Sequence, residues 1–132
     1  MDSRDRFKRP TRRFQGFNGG SGSFTSSGGG GGCSSVGVGG SADGGAGGYG
    51  VTNGFLGIAL TYGGGGGGST GGGNFGLGRD GGGSGANNAM PATVPRPNSG
   101  GGGGSANWYT STNYSSNTGG AAGIVIIRYR SK

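Results

Sequence analysis

The stretch Gly123-Ile124-Val125-Ile126-Ile127-Arg128-Tyr129 contains four consecutive β-branched apolar residues, which occur nowhere else in the chain. Glycine and small polar residues make up most of what precedes it. A run this short and this apolar is typical of a strand buried on both faces. The sequence therefore predicts a buried terminal strand that seeds the core. The alternative is an exposed edge strand, whose pairing would be opposed by the basic residues Arg128, Arg130 and Lys132.

The composition argues against an ordinary core of packed side chains. Of 132 residues, 42 are glycine, and only 27% of the chain is hydrophobic. Each glycine loses more conformational freedom on folding than any other residue, so this composition by itself favours disorder. An ordered fold must therefore be held together by something other than side chains.

The chain contains three glycine runs, 28–32, 63–68 and 100–104, which indicate that backbone packing holds the fold together. No Gly-X-Y period is present, which excludes collagen. Glycine also adopts an extended threefold helix without internal hydrogen bonds. When such helices pack side by side, the backbone N–H and C=O groups of one helix form hydrogen bonds with those of its neighbours. We therefore predict a mostly irregular and β fold: a glycine-rich body of packed polyglycine-type extended helices, a few short strands and an extended N-terminal arm. Gly65 and Gly102 are expected where backbones pack closely, whereas the alternative is flexible linkers.

Two further segments have strand character. Residues 55–62 form an apolar segment that we expect to pair with the terminal strand, and Gly54 and Gly57 oppose a helix there. Residues 23–25 form another candidate short strand.

The domain prediction separates residues 1–18, a basic N-terminal arm, from residues 19–132, a glycine-rich domain ending in the buried strand. The net charge of +7 lies at the two ends of the chain, while the middle is neutral. Basic residues among aromatic rings suit either pockets on a partner protein or single-stranded nucleic acid, and we expect mainly protein. The remaining alternative is a solvated tail. The predicted partner-docking residues are Arg4, Arg6, Phe7, Lys8, Arg9, Arg12, Arg13, Phe14 and Phe17.

Two other segments carry side chains larger than the glycine body needs. Residues 90–98 are rich in proline and predict an exposed loop. Trp108, Tyr109 and Tyr114 lie among serine and asparagine, a setting typical of recognition loops, and form the predicted surface-recognition set. The same aromatic residues would also serve to plug the end of the glycine body.

Several classes of function are disfavoured by what the sequence lacks. The chain has no histidine and four scattered acidic residues, so no acid–base pair is apparent, and we expect no enzyme, no cofactor and no metal site. Cys33 is the single cysteine and is expected to be a buried or inert thiol. No signal peptide and no apolar span of about 20 residues is evident, which predicts synthesis in a cytosol without membrane insertion.

Three stretches carry a family resemblance: Thr61-Tyr62 with the glycines 63–68 and Ser69, Asn98-Ser99 with the glycines 100–104 and Ser105, and residues 119–129. They resemble the glycine-rich C-terminal domains of bacteriophage virion proteins, especially tail-fibre and adhesin-like proteins, over roughly residues 60–130. The resemblance implies stacked polyglycine helices with variable loops at the tip. The short chain and its basic arm differ from a long fibre, which leaves capsid decoration as another role.

On this basis we expect a virion structural protein, made in the host cytoplasm and anchored by its arm. Its partners would be other virion proteins, further copies of itself and a glycan or protein on the host surface. The alternative is a glycine-rich nucleic-acid-binding protein, although repeated Arg-Gly-Gly is absent. An ice-binding protein would need regular threonine or alanine arrays, which the sequence does not contain.

Overall fold

The computed structural model describes residues 16–107, 117–127 and 129. Across these residues there is no helix, and the only two strands are β1 (Val51–Asn53) and β2 (Leu60–Tyr62). They pair antiparallel, with Val51 opposite Tyr62. The prediction of a mostly irregular fold with a few short strands is confirmed. In the same ranges, no helix is long and apolar enough to cross a membrane.

Residues 63–70 form the centre of the body. Every residue from 64 to 70 is buried. The backbone of this central segment forms hydrogen bonds with five other segments, which are 27–33, 45–48, 76–79, 83–86 and 99–105. One glycine run is therefore enclosed by backbone on several sides.

Along each of these five segments, the hydrogen bonds to the central segment recur every third residue. The amides of Gly65 and Gly68 donate to segment 45–48 at 2.9 and 2.8 Å, whereas Gly67, between them, donates to segment 83–86 at 2.9 Å. These three amides therefore point from the central segment in at least two directions. In a β-sheet the bonds would lie in one plane, which explains why so much hydrogen-bonded backbone forms so few strands.

Glycine is required where these backbones meet. A Cβ on Gly65 would lie 2.7 Å from the carbonyl carbon of Gly30 and 2.8 Å from the amide nitrogen of Gly48. A Cβ on Gly102 would lie 2.9 Å from the amide nitrogen of Gly66. The predicted close packing at Gly65 and Gly102 is therefore confirmed.

Side chains contribute little to the interior. Among the described residues, Ala86 is the only buried hydrophobic residue. The buried polar residues are Ser26, Ser69, Thr70, Ser99 and Asn107. The core therefore consists of backbone together with short polar side chains.

The prediction of a buried terminal strand is wrong. Residues 123–127 and 129 form no strand, and the side chains of Val125, Ile127 and Tyr129 are 88%, 81% and 85% exposed. The reason is that the centre is already filled by the glycine backbone of residues 63–70. The terminal stretch lies at the surface instead.

The other two strand predictions need correction as well. Within 55–62 only residues 60–62 are a strand, and this strand pairs with β1 rather than with the terminal stretch. Residues 23–25 are not a strand, because the only pairing there is an isolated antiparallel bridge between Ser26 and Thr70.

Candidate binding surfaces at the two ends of the body

The chain bends at 24–25, 41–43, 71–73 and 88–90, and side-chain hydrogen bonds join these bends at one end of the central segment. We call this the loop end. The Thr70 hydroxyl donates to the Ala42 carbonyl at 2.9 Å, and the Asn74 amide donates to the Asp43 carboxylate at 2.7 Å. Short polar side chains therefore fix the bends to one another and to the body.

A cleft of about 350 Å³, the polar cleft, opens at the loop end. Ser27 lies at its floor, with its Oγ 3.0 Å from the Ser69 Oγ and 3.1 Å from the Ser105 Oγ. The Phe24 side chain, 89% exposed, also lines it. Among the described residues that line the cleft none is charged, so its chemistry suits neutral hydroxyl or amide groups and an apolar ring face.

The predicted recognition residues Trp108, Tyr109 and Tyr114 lie outside the described residues. Their described flanking residues are both at the loop end. The side-chain Nδ2 of Asn107 donates to the Oδ1 of Asn88 at 2.7 Å, and the Oδ1 of Asn117 accepts a hydrogen bond from the backbone amide of Ala106 at 2.6 Å. The described residues Asn107 and Asn117 therefore both lie beside the polar cleft.

The proline-rich residues 90–98 are largely exposed, as predicted, although they do not form a projecting loop. Met90 is 50% and Val94 is 78% exposed. The amides of Thr93 and Arg96 donate to the backbone of residues 84 and 81 at 2.9 and 2.8 Å. This stretch therefore runs along the side of the body.

The opposite end of the central segment carries the β1–β2 hairpin and the terminal stretch, and we call it the hairpin end. The two meet around a groove of about 420 Å³, the apolar groove, lined chiefly by Cys33, Val51, Phe55, Tyr62, Ile124 and Ile126. Leu56 and Ile58, in the loop between the strands, are 52% and 62% exposed. The hairpin and the terminal stretch are thus neighbours through their side chains, without the strand pairing that the sequence predicted.

Two arginines fasten the hairpin end to the body. The Arg79 guanidinium lies 4.7 Å from the centroid of the Tyr49 ring and donates to the hydroxyl of that residue at 2.8 Å. The Arg96 guanidinium lies 5.8 Å from the centroid of the Tyr62 ring and donates to the carbonyl of Thr61. These cations are engaged within the fold.

Phe17 is the only one of the nine predicted docking residues that the structure describes. Its side chain is 49% exposed, and its amide donates to the carbonyl of Gly32 at 2.9 Å. The other eight residues, Arg4, Arg6, Phe7, Lys8, Arg9, Arg12, Arg13 and Phe14, lie outside the described part of the chain. Phe17 therefore lies at the hairpin end of the body.

This arrangement of closely packed glycine backbone agrees with a comparison of the sequence with known families. The family model of a glycine-rich domain matches residues 3–130. The chain belongs to the glycine-rich domain family. No curated protein and no solved structure matches it. The glycine-rich part of the predicted resemblance is confirmed, whereas the assignment of this glycine-rich domain to bacteriophage virions stays a prediction.

Sequence reasoning missed both the polar cleft and the apolar groove. A signal for the cleft was present, because Ser27 precedes one glycine run and Ser69 and Ser105 follow the other two. The structure brings these three serines together. A signal for the groove was the alternation within the terminal stretch, where Ile124 and Ile126 line the groove and the residues between them do not.

Proposed function

We propose that this chain is a bacteriophage virion structural protein, either tail-fibre or adhesin-like or a capsid decoration protein. It attaches through its N-terminal arm and presents its loop end to a host or other surface. The observation that carries the proposal is the separation of the two ends. The arm leaves from the hairpin end, where Phe17 contacts Gly32, whereas the residues that flank segment 108–116 lie at the loop end.

The glycine body suits the role of a rigid spacer between attachment and recognition. We infer that its segments are polyglycine-type threefold helices, because a hydrogen-bonding period of three residues is the period of such a helix. The body is packed mainly through its backbone, so its contacts depend little on which side chains the bends carry. The loop end can therefore vary while the body keeps its shape.

The polar cleft and its surroundings support a surface target with neutral polar groups. The cleft offers serine and threonine hydroxyls together with an exposed ring at Phe24. Aromatic rings stack on the apolar faces of sugars and pack on proteins, and hydroxyl groups bond to either. A glycan or a protein of the host surface is the expected target, and other virion proteins are the expected partners of the arm.

The alternative of a nucleic-acid-binding protein receives less support. Binding to phosphate depends on free lysine or arginine side chains. Arg79 and Arg96 in the body are both stacked on tyrosine rings. The charge available for nucleic acid would thus come from the two ends of the chain alone.

A protein inventory of purified particles by mass spectrometry tests the proposal. The chain is expected in intact virions at a constant copy number, and a variant lacking residues 1–18 is expected to be lost from them. Absence of the chain from every particle preparation would end the virion hypothesis. Normal incorporation of the truncated variant would show that the arm is not the anchor.

A further inference from the structure

The apolar groove is lined by several partly exposed hydrophobic side chains. Of the residues that line it, Val51 is 39%, Phe55 is 58% and Ile124 is 46% exposed. Among the described lining residues none is charged. Partly exposed apolar side chains that line one uncharged groove, in a chain that is only 27% hydrophobic, make this groove a candidate docking surface.

The path of the chain identifies a candidate for that occupant. Phe17 is bonded to Gly32, and the next residue, Cys33, lines the groove. Cys33 is itself fixed in place, because its amide donates to the carbonyl of Gly63 at 2.9 Å. Phe17, which follows residues 1–15 by two positions in the sequence, is therefore hydrogen-bonded to the residue that precedes a lining residue of the groove.

The reach and the chemistry of this segment both fit. Phe14 precedes Phe17 by three residues, a span of at most about 11 Å in an extended chain. The ring of Phe14 is apolar, like the groove. The preceding pair, Arg12 and Arg13, can stay in solvent, because an uncharged apolar groove offers them no partner.

We propose that the apolar groove is the docking site of the chain's own N-terminal segment, residues 1–15, with Phe14 as the anchor. The docked ring covers the Cys33 side of the groove and removes its apolar walls from water. This inference concerns a single copy before it joins any assembly, so it does not rest on the virion role. The basic residues of the arm remain available to a partner.

Cys33 provides the test, because it is half-buried, free and the single thiol of the chain. The measurement is the rate at which an aromatic disulfide reagent modifies Cys33 in the full-length protein. Phe14→Ser should accelerate the reaction about tenfold, the factor that corresponds to roughly 1.4 kcal/mol of lost docking free energy. Phe14→Leu should restore most of the protection, since it retains an apolar side chain.

Leu77→Ser is the matched control, because Leu77 is apolar, 55% exposed and away from the apolar groove. It should leave the rate unchanged. A peptide of residues 1–15 added to the Phe14→Ser protein should slow the reaction again, which separates loss of docking from a disturbed body. An unchanged rate in Phe14→Ser overturns the proposal. A second result would also overturn it: in the wild-type protein, dilution lowers both the protection of Cys33 and the mass measured by sedimentation. The occupant of the groove would then be a second copy of the chain.

Discussion

Replacing Gly65 by alanine should destabilise the protein severely, although the change adds one methyl group. The new Cβ would lie 2.7 Å from the carbonyl carbon of Gly30 and 2.8 Å from the amide nitrogen of Gly48, where ordinary contact begins at 3.4 Å. Both neighbours are backbone, so no side chain can rotate away. The segments on that side of the centre have to move apart by more than half an ångström.

The cost follows from the hydrogen bonds that this movement breaks. Gly65 donates to Gly48 at 2.9 Å, and Gly48 donates to Gly30 at 2.8 Å. Each buried group left unpaired costs about 1–3 kcal/mol, so these two bonds represent about 2–6 kcal/mol. That is a large part of the roughly 5–15 kcal/mol by which folded domains are usually stable.

The assay is urea denaturation of the purified variant followed by circular dichroism and intrinsic fluorescence. Gly72→Ala is the control, because a Cβ there has nothing within 4 Å and the substitution is chemically identical. It should change the midpoint very little. If the Gly65→Ala protein unfolds at the same urea concentration as Gly72→Ala, the backbone core does not exist in solution and the glycine runs are linkers.

Three other variants test separate parts of the protein. Ser27→Ala should cost about 1–3 kcal/mol in denaturation, because the Ser69 amide donates to this hydroxyl at 2.7 Å; no loss would show that water replaces it. Tyr49→Leu should cost about 0.5–1 kcal/mol by removing the ring beneath an arginine, and an equal stability would make that contact incidental. Alanine at both Trp108 and Tyr109 should weaken surface binding while particles still assemble. Poor assembly with unaffected binding would make these aromatic residues packing elements.

The sequence predicted which residues form the core better than it predicted which segments are neighbours there. The glycine runs were expected to pack through their backbones, and residues 63–68, the longest run, lie at the centre. Residues 123–129 were misjudged, because β-branched residues favour a strand only where a neighbouring backbone is available for pairing. The segments become neighbours through hydrogen bonds between backbone groups that are far apart in the sequence. These groups are chemically identical in every glycine. No side-chain pattern records that choice.

The candidate site was predictable only where side chains mark it. The serines beside the glycine runs mark the polar cleft, since each stands at one end of a run and the three hydroxyls meet in the structure. The apolar groove forms because the β1–β2 hairpin lies beside Ile124 and Ile126. That contact joins parts of the chain more than 60 residues apart, beyond what local patterns determine.

The bend at residues 71–73 makes this chain a natural display scaffold. It leaves the central segment directly after Thr70, whose hydroxyl is bonded to a neighbouring bend, and Gly72 within it faces open space. A foreign peptide grafted between residues 71 and 73 would start and finish on anchored backbone without touching the glycine contacts beneath it. Because those contacts involve backbone alone, the graft's own sequence would matter little to folding, and libraries of very different epitopes would share one support.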